Sequence, residues 1–360
     1  MRTILKLKTL RIESRRQKYI TVSMAKYNTL VVKNGGLEME VMNYGGIIAK
    51  LLAPDSAGKM GDIVLGCKTP AEYAKQKFYL GALVGRCCSR ISGAKFSLDG
   101  EKFKLDANNG KNTLHGGSDA FSNAIWDMTP CTGAGWKGVC LHYLSPDMQS
   151  GFPGNLDVTV YYKLTDNAEL VIEYAAHTDR PTVCNLTNHT YFDLSAGKAE
   201  DILDHRIKIN SAFYTPAGLD LVATGEVLSV AGTVLDLRKF RKIRDGVEAE
   251  SQLIVDAHGG YDHNYVLPNP DGSLVQAAVV YDPLSGRGME VLTTEPGVQF
   301  YTGNFIENLK DKSGKKRGPH SGFCLETQHW PDAPNKAHFP SVALYPGELY
   351  ESMTVYRFSK

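Results

Sequence analysis

The chain reads as an all-β protein, a large antiparallel β-sandwich of two packed sheets. Three observations predict it. Apolar and polar residues alternate with period two in many short runs. Turn residues separate those runs, with 35 glycines and 16 prolines in 360 residues. No segment carries the 3.6-residue periodicity of a long amphipathic helix.

The first strand follows the turn signal Asn34–Gly35–Gly36, where Leu37, Met39 and Val41 alternate with Glu38, Glu40 and Met42. Gly45–Gly46 then breaks into Ile47–Ile48. The clearest hairpin spans 156–176. Leu156, Val158, Val160, Tyr162 and Leu164 form one series, Asp166–Asn167 marks the turn, and Leu170, Ile172, Tyr174 and Ala176 form the other. Such alternation belongs to strands with one face buried. Further strands fit 207–210, 227–230, 253–255, 274–281, 289–294, 342–345 and 353–358, and short helical turns fit 70–77, 236–240 and 303–309. Without a repeat or a linker rich in Pro, Gly or Ser, residues 27–360 are expected to form a single domain.

Residues 1–26 differ from the rest. They hold eight Lys or Arg and one acid, Glu13, which leaves 32 basic and 38 acidic residues beyond them. The segment lacks the apolar run of a secretory signal. It reads as a targeting extension, a disordered arm, or an upstream start ahead of Met24. The whole chain carries +1, so no net field draws it to nucleic acid or membrane, and no apolar run is long enough to span a bilayer. Seven cysteines at irregular spacings, without a CxxC pair, fit free thiols in a reducing compartment better than a disulfide framework.

Polar clusters mark the candidate site. Phe323–Leu325 reads as a strand ended by polar residues and Pro331, with Glu326 at its end as a candidate general base. In Gly85–Ile91, Arg90 can fork onto a polyol or an anion, while Arg86 reads as pairing with a structural carboxylate. His115 precedes Gly116–Gly117, which lets backbone approach a ligand or simply turns the chain. His189 shares a strand face with Tyr191, opposite Asn188 and Thr190. Asp262 can accept from sugar hydroxyls or cap a turn. Gln299 offers a donor and an acceptor at a strand edge, or is an ordinary exposed residue. The basic run Lys310–Arg317 reads as an exposed loop. HExxH, GxSxG and the P-loop pattern are absent, and the histidines lack metal-ligand spacing. Histidines, one carboxylate and uncharged polar groups among aromatics suit acid–base chemistry on a neutral, hydroxyl-rich substrate.

From Asn43–Tyr44–Gly45, Gly85–Ile91, Asn112–Gly117, Thr187–Leu194, Asp262–Asn264, Pro296–Asn304 and Leu325–Pro334 together, the chain resembles the aldose 1-epimerases, or galactose mutarotases, from about residue 27 onward. The histidine spacing speaks for no metal, and the resemblance implies a large mutarotase-like β-sandwich with an open cleft and no cofactor. It implies Glu326 as general base, His189 as general acid, His115 near the ring oxygen, and Arg90, Asp262 and Gln299 as residues that hold the sugar. The irregular cysteines and the missing signal-like or membrane-spanning run point to a cytoplasmic protein, and the resemblance further implies a monomer acting on a free monosaccharide. Ser89 departs from the Asn usual before the motif's second arginine, and Cys87–Cys88 replace small aliphatic residues, which bears on substrate preference. Two alternatives share the fold: a hexose-6-phosphate epimerase, for which Lys310–Arg317 would meet the phosphate, and a noncatalytic sugar-binding protein.

Overall fold

The computed structural model describes residues 27–360; the basic segment 1–26, with its targeting, arm and alternative-start readings, lies outside the described residues. The 156–176 hairpin forms as its alternation predicts. Strands Leu156–Thr165 and Glu169–Thr178 pair Val158 with Ala176, Val160 with Tyr174, Tyr162 with Ile172 and Leu164 with Leu170. All eight of these side chains are buried on one face.

That hairpin sits inside a nine-stranded antiparallel sheet. Its order runs Asp127–Gly133, Trp136–Ser145, Leu156–Thr165, Glu169–Thr178, Tyr350–Ser359, Gly288–Thr293, Val275–Tyr281, Arg206–Ile209, Arg241–Lys242. A five-stranded antiparallel sheet packs against it, in the order Leu228–Ser229, Phe213–Thr215, Asp262–Val266, Gly297–Tyr301, Cys324–Gln328. The inner face of this second sheet supplies Tyr265, Val298, Phe300 and Leu325 to a core shared with Val160, Tyr162, Ile172, Val291 and Tyr356 of the first. Each such side chain contributes roughly 1.5–3 kcal/mol by leaving water. The Tyr356 hydroxyl donates to the Leu325 carbonyl at 3.2 Å and ties the sheets together directly.

A four-stranded sheet, Thr29–Asn34, Leu37–Met42, Ile47–Pro54 and Met60–Asp62, covers the same core. Its first hairpin closes on Gly35 and Gly36 at φ +54° and +79°, and a side chain at 35 would meet the Thr165 carbonyl at 1.9 Å. Both glycines are therefore required by the backbone.

Several expectations need correction. Residues 253–255 are not a strand. Gln252–Asp256 is a short helix that buries Ile254 and leaves Val255 exposed, so the run has one inward position rather than an alternation. No helix forms at 236–240 or 303–309; the other α-helices among the described residues are Pro70–Tyr73 and Ile243–Val247. The basic run is not a plain exposed loop. Leu309–Lys310 and Lys316–Arg317 pair as a hairpin. Lys312 reaches Asp62 and the Ala49 carbonyl at 2.6 Å each, and buried Arg317 holds Asp311 at 2.7 Å. Charged side chains that find carboxylates can be drawn inward despite their composition.

All seven thiols are free. Five are buried; Cys131 and Cys140 are half-buried on the edge strand of the large sheet and its neighbour. No helix among the described residues is long and apolar enough to cross a membrane.

Arg86 is structural, but its partners are not carboxylates. Its guanidinium donates to Ser145 Oγ and to the carbonyls of Ser145, Pro146 and Pro153 at 2.6–3.0 Å. Burial pulls its pKa down to about 10. Replacing it with Leu strands three carbonyls in a dry interior. Arg86→Leu is expected to lose at least about 3 kcal/mol in urea unfolding, and a loss below about 1 kcal/mol would show those carbonyls to be hydrated.

Candidate active site

The strand carrying Glu326 runs further than its polar residues suggested. Cys324–Gln328 is continuous, so Glu326 stands in mid-strand rather than at an end. It pairs with Gln299, which pairs with Asn264, which pairs with Thr215. Paired residues in adjacent antiparallel strands share a face. Thr215, Asn264, Gln299 and Glu326 thus form one polar row, and Asp262, Tyr301 and Cys324 form the next. Gln299 accordingly sits on an inner strand and is buried, not at an edge.

The opposite wall comes from loops and short strands. Thr187–Asn188 pairs with Leu83–Val84, and His189 extends the ladder through bonds to Ala82 and Gly81. Its ring stacks between Tyr191, at 4.9 Å, and Tyr79, at 5.9 Å. This satisfies the His189–Tyr191 face read from alternation. Arg90–Ile91 pairs with Thr113–Leu114, and His115 leaves that strand at φ +52°. Gly116 follows at φ +93°, where any Cβ would lie 1.9 Å from the Gly85 carbonyl. Only glycine permits this approach, and it aims His115 edge-on at His189, 5.2 Å between ring centres.

All six predicted site residues line one cleft of about 220 Å³. Arg90 is fixed by its Nε bond to Asn109 at 3.1 Å. Gln299 Nε2 donates to Asp262 at 2.6 Å, so Asp262 is a strand residue with a side-chain partner and not a turn cap. Tyr79, Asn109, Phe305 and Gln328 also line the cleft and escaped the sequence reading. Gln328 and Cys324 had a usable signal: each lies two residues from Glu326 on the same strand. Tyr79 and Phe305 had none.

The titratable side chains of the cleft are largely buried. Burial, then the nearby Asp262 carboxylate, push Glu326 well above the usual range, against the opposing pull of Arg90. Burial also raises Asp262, lowers His189 to about 4 and drives His115 well down. Glu326 Oε1 lies 3.6 Å from His189 Nε2, too long for a hydrogen bond. The pair therefore lacks the compensation of a tight ion pair, and burial disfavours the charged form of both groups.

His115, His189 and Glu326 each offer one atom within 4.8 Å of the others, the spacing of a metal site. The donor set argues against ligation. The Ser89 amide donates to His115 Nδ1 at 3.2 Å, so the neutral ring carries its proton on Nε2 and offers no lone pair there. His115 is instead a hydrogen-bond donor. Gln299 Oε1, Asn264 Oδ1 and the Gln328 amide are buried without a protein partner, which leaves hydrogen-bonding capacity along the wall.

The family model described as aldose 1-epimerase matches residues 28–357. The chain belongs to the aldose 1-epimerase family. It is 43% identical to a galactose mutarotase of Bos taurus over 90% of this chain and 91% of that one. An aldose 1-epimerase of Escherichia coli is 34% identical over 92% and 95% of the two chains. Among solved structures, an aldose epimerase homologue from C. elegans superposes with a TM-score of 0.84 at 28% identity, covering 92% of this chain and 99% of that chain. A galactose 1-epimerase from Lactobacillus acidophilus gives 0.80 at 25% identity over 92% and 98%. The antiparallel sandwich is that of these epimerases.

The raised carboxyl of this epimerase fold has a consequence for stability. A carboxyl whose folded pKa exceeds its unfolded value binds more protons when folded. Its contribution is favourable at low pH and is lost as pH rises from the unfolded value toward the folded one. Glu326→Gln removes that loss. The variant's melting temperature should exceed that of the unchanged protein at pH 8 and approach it at pH 4, measured by calorimetry without sugar.

Proposed function

We propose that the protein is an aldose 1-epimerase that interconverts the α and β anomers of free aldohexoses, with D-galactose and D-glucose as leading substrates. The observation that carries this reading is the Glu326–His189 pair, 3.6 Å apart in a cleft whose other polar side chains suit hydroxyl groups. Glu326 takes the proton from O1 as the C1 carbonyl forms. The bond from C1 to the ring oxygen breaks, and that oxygen takes a proton from His189 Nε2. The aldehyde turns about C1–C2. Closure on the other face runs both transfers backwards. The sequence of steps is redox-neutral and needs no cofactor.

Between them the two side chains hold one exchangeable proton. In the free cleft burial places it on Glu326. Sugar hydroxyls that donate to the carboxylate favour its ionised form and shift the proton to His189, which primes the acid. Arg90, Asp262 and Gln299 hold the remaining hydroxyls, and His115 donates toward the ring oxygen.

Residues 27–360 act in this reading as one catalytic unit, a monomer in the cytoplasm. Seven free thiols support a reducing compartment. A phosphorylated hexose is disfavoured because Lys312, Lys315 and Arg317 are engaged by Asp62, Glu200 and Asp311 and do not line the cleft. A noncatalytic sugar binder has no need of an acid–base pair in contact with the bound ring.

Polarimetry on freshly dissolved α-D-glucose and α-D-galactose tests the reaction. Acceleration over buffer is expected, and a background rate across several aldoses would sink the reading. Glu326→Gln and His189→Asn should each lower turnover at least ~10²-fold with KM little changed.

The pH profile of kcat/KM tests the shared proton. Activity should fall as pH drops through about 4, where His189 takes up a proton alongside the one already shared with Glu326. It should fall again as pH rises through the raised value of Glu326, where the pair loses its exchangeable proton. A basic limb within the ordinary carboxylate range would overturn that assignment.

A further inference from the structure

We propose that Cys324 is a positioning residue for the epimerase reaction: its thiol sulfur accepts a hydrogen bond from His189 Nδ1–H and so keeps Nε2 as the nitrogen that gives and takes the proton. The inference rests on the acid role proposed for His189.

The geometry comes from one strand. Cys324 and Glu326 are two residues apart on Cys324–Gln328 and point to the same face. Cys324 Sγ lies 3.4 Å from His189 Nδ1, and Glu326 Oε1 lies 3.6 Å from Nε2. A single rigid strand thus addresses both ring nitrogens. The faces of the imidazole are covered by Tyr79 and Tyr191, and the Tyr301 ring meets it edge-on at 6.2 Å. The ring can be held by stacking alone, but stacking does not choose which nitrogen carries the proton. A hydrogen-bond partner in the ring plane does.

A shuttle at Nε2 needs an available lone pair there after each proton is given up. The neutral ring must then keep its proton on Nδ1, and a buried Nδ1–H needs an acceptor. Sγ of Cys324 provides one in a position with no exposure to solvent. Burial holds the thiol neutral, and any negative charge on the neighbouring Glu326 or Asp262 works in the same direction. A neutral sulfur is a weak acceptor. It selects the tautomer without stabilising the imidazolium as a carboxylate would, which leaves His189 a strong acid.

Two variants separate tautomer control from packing. Cys324→Ser keeps an acceptor in a smaller side chain. Cys324→Val keeps the bulk and removes the acceptor. The serine variant should retain kcat within ~5-fold, while the valine variant should lose at least ~10-fold in kcat with KM within ~2-fold, because a histidine in the wrong tautomer cannot exchange its proton at the reacting edge. A packing role predicts the reverse order. Nitrogen-15 NMR of histidine-labelled protein at neutral pH gives a readout independent of turnover. His189 should be the Nδ1–H tautomer in the unchanged protein and in Cys324→Ser, and lose that preference in Cys324→Val. Should the valine variant not fold, the tautomer of the unchanged protein decides alone. An Nε2–H His189 there, or a valine variant with undiminished kcat, overturns the proposal. Absence of anomerase activity in the unchanged protein would instead defeat the functional reading, and the spectra would still report on Cys324.

Discussion

The register of three strands, Asp262–Val266, Gly297–Tyr301 and Cys324–Gln328, is the constraint on which the rest of the structure depends. Side chains along a strand alternate faces, so a shift of one residue would turn Glu326 into the core and bring Leu325 or Thr327 to the cleft. The apolar back of these strands prevents the shift. Tyr265, Val298, Phe300 and Leu325 are all buried against the large sheet. The energy that packs the sandwich is thus the same energy that aligns the polar row. No separate device is needed to position the carboxylate.

Rigidity on one wall is matched by strained local geometry on the other. His115 and Ser89 both adopt positive φ, and each bonds the other's backbone or ring: His115 N to the Ser89 carbonyl, and Ser89 N to His115 Nδ1. Left-handed conformations at such residues are uncommon and persist where surrounding contacts over-determine them. Here the reciprocal bonds do so. They present one imidazole as a fixed donor while the neighbouring His189 remains free to exchange its proton at Nε2. Two histidines within one cleft are given different chemistry by what meets their Nδ1 atoms, a backbone amide in one case and a thiol in the other.

Much of this architecture was legible in the residues. The 156–176 hairpin could be read because both of its strands are local and each buries one face. The six site residues could be named because they stand in short polar clusters with a recognisable order. What escaped the reading was non-local or too short to show a period. The row from Thr215 to Glu326 joins strands separated by tens of residues, and pairing partners at that range leave no periodic trace. Leu253–Val255 is apolar enough for a strand, yet a run of three cannot distinguish alternation from one turn of helix. The partners of Arg86 were misassigned because carbonyl groups, unlike carboxylates, are the same at every position of a sequence. Lys312 and Arg317 looked solvated by composition, and only their carboxylate neighbours in space drew them in.

The contact of Gly116 with the Gly85 carbonyl bears on how the protein can be diversified. At 1.9 Å from backbone, no side chain can be admitted at 116 by repacking neighbours, since the obstructing atom cannot rotate away. A combinatorial library that randomises the loop carrying His115 would spend most of its members on chains with a displaced histidine. Phe305 lines the same cleft from another segment and is partly exposed. Variation there reshapes the rim while the reciprocal bonds of Ser89 and His115 are left untouched, which makes it the productive position for redirecting substrate choice.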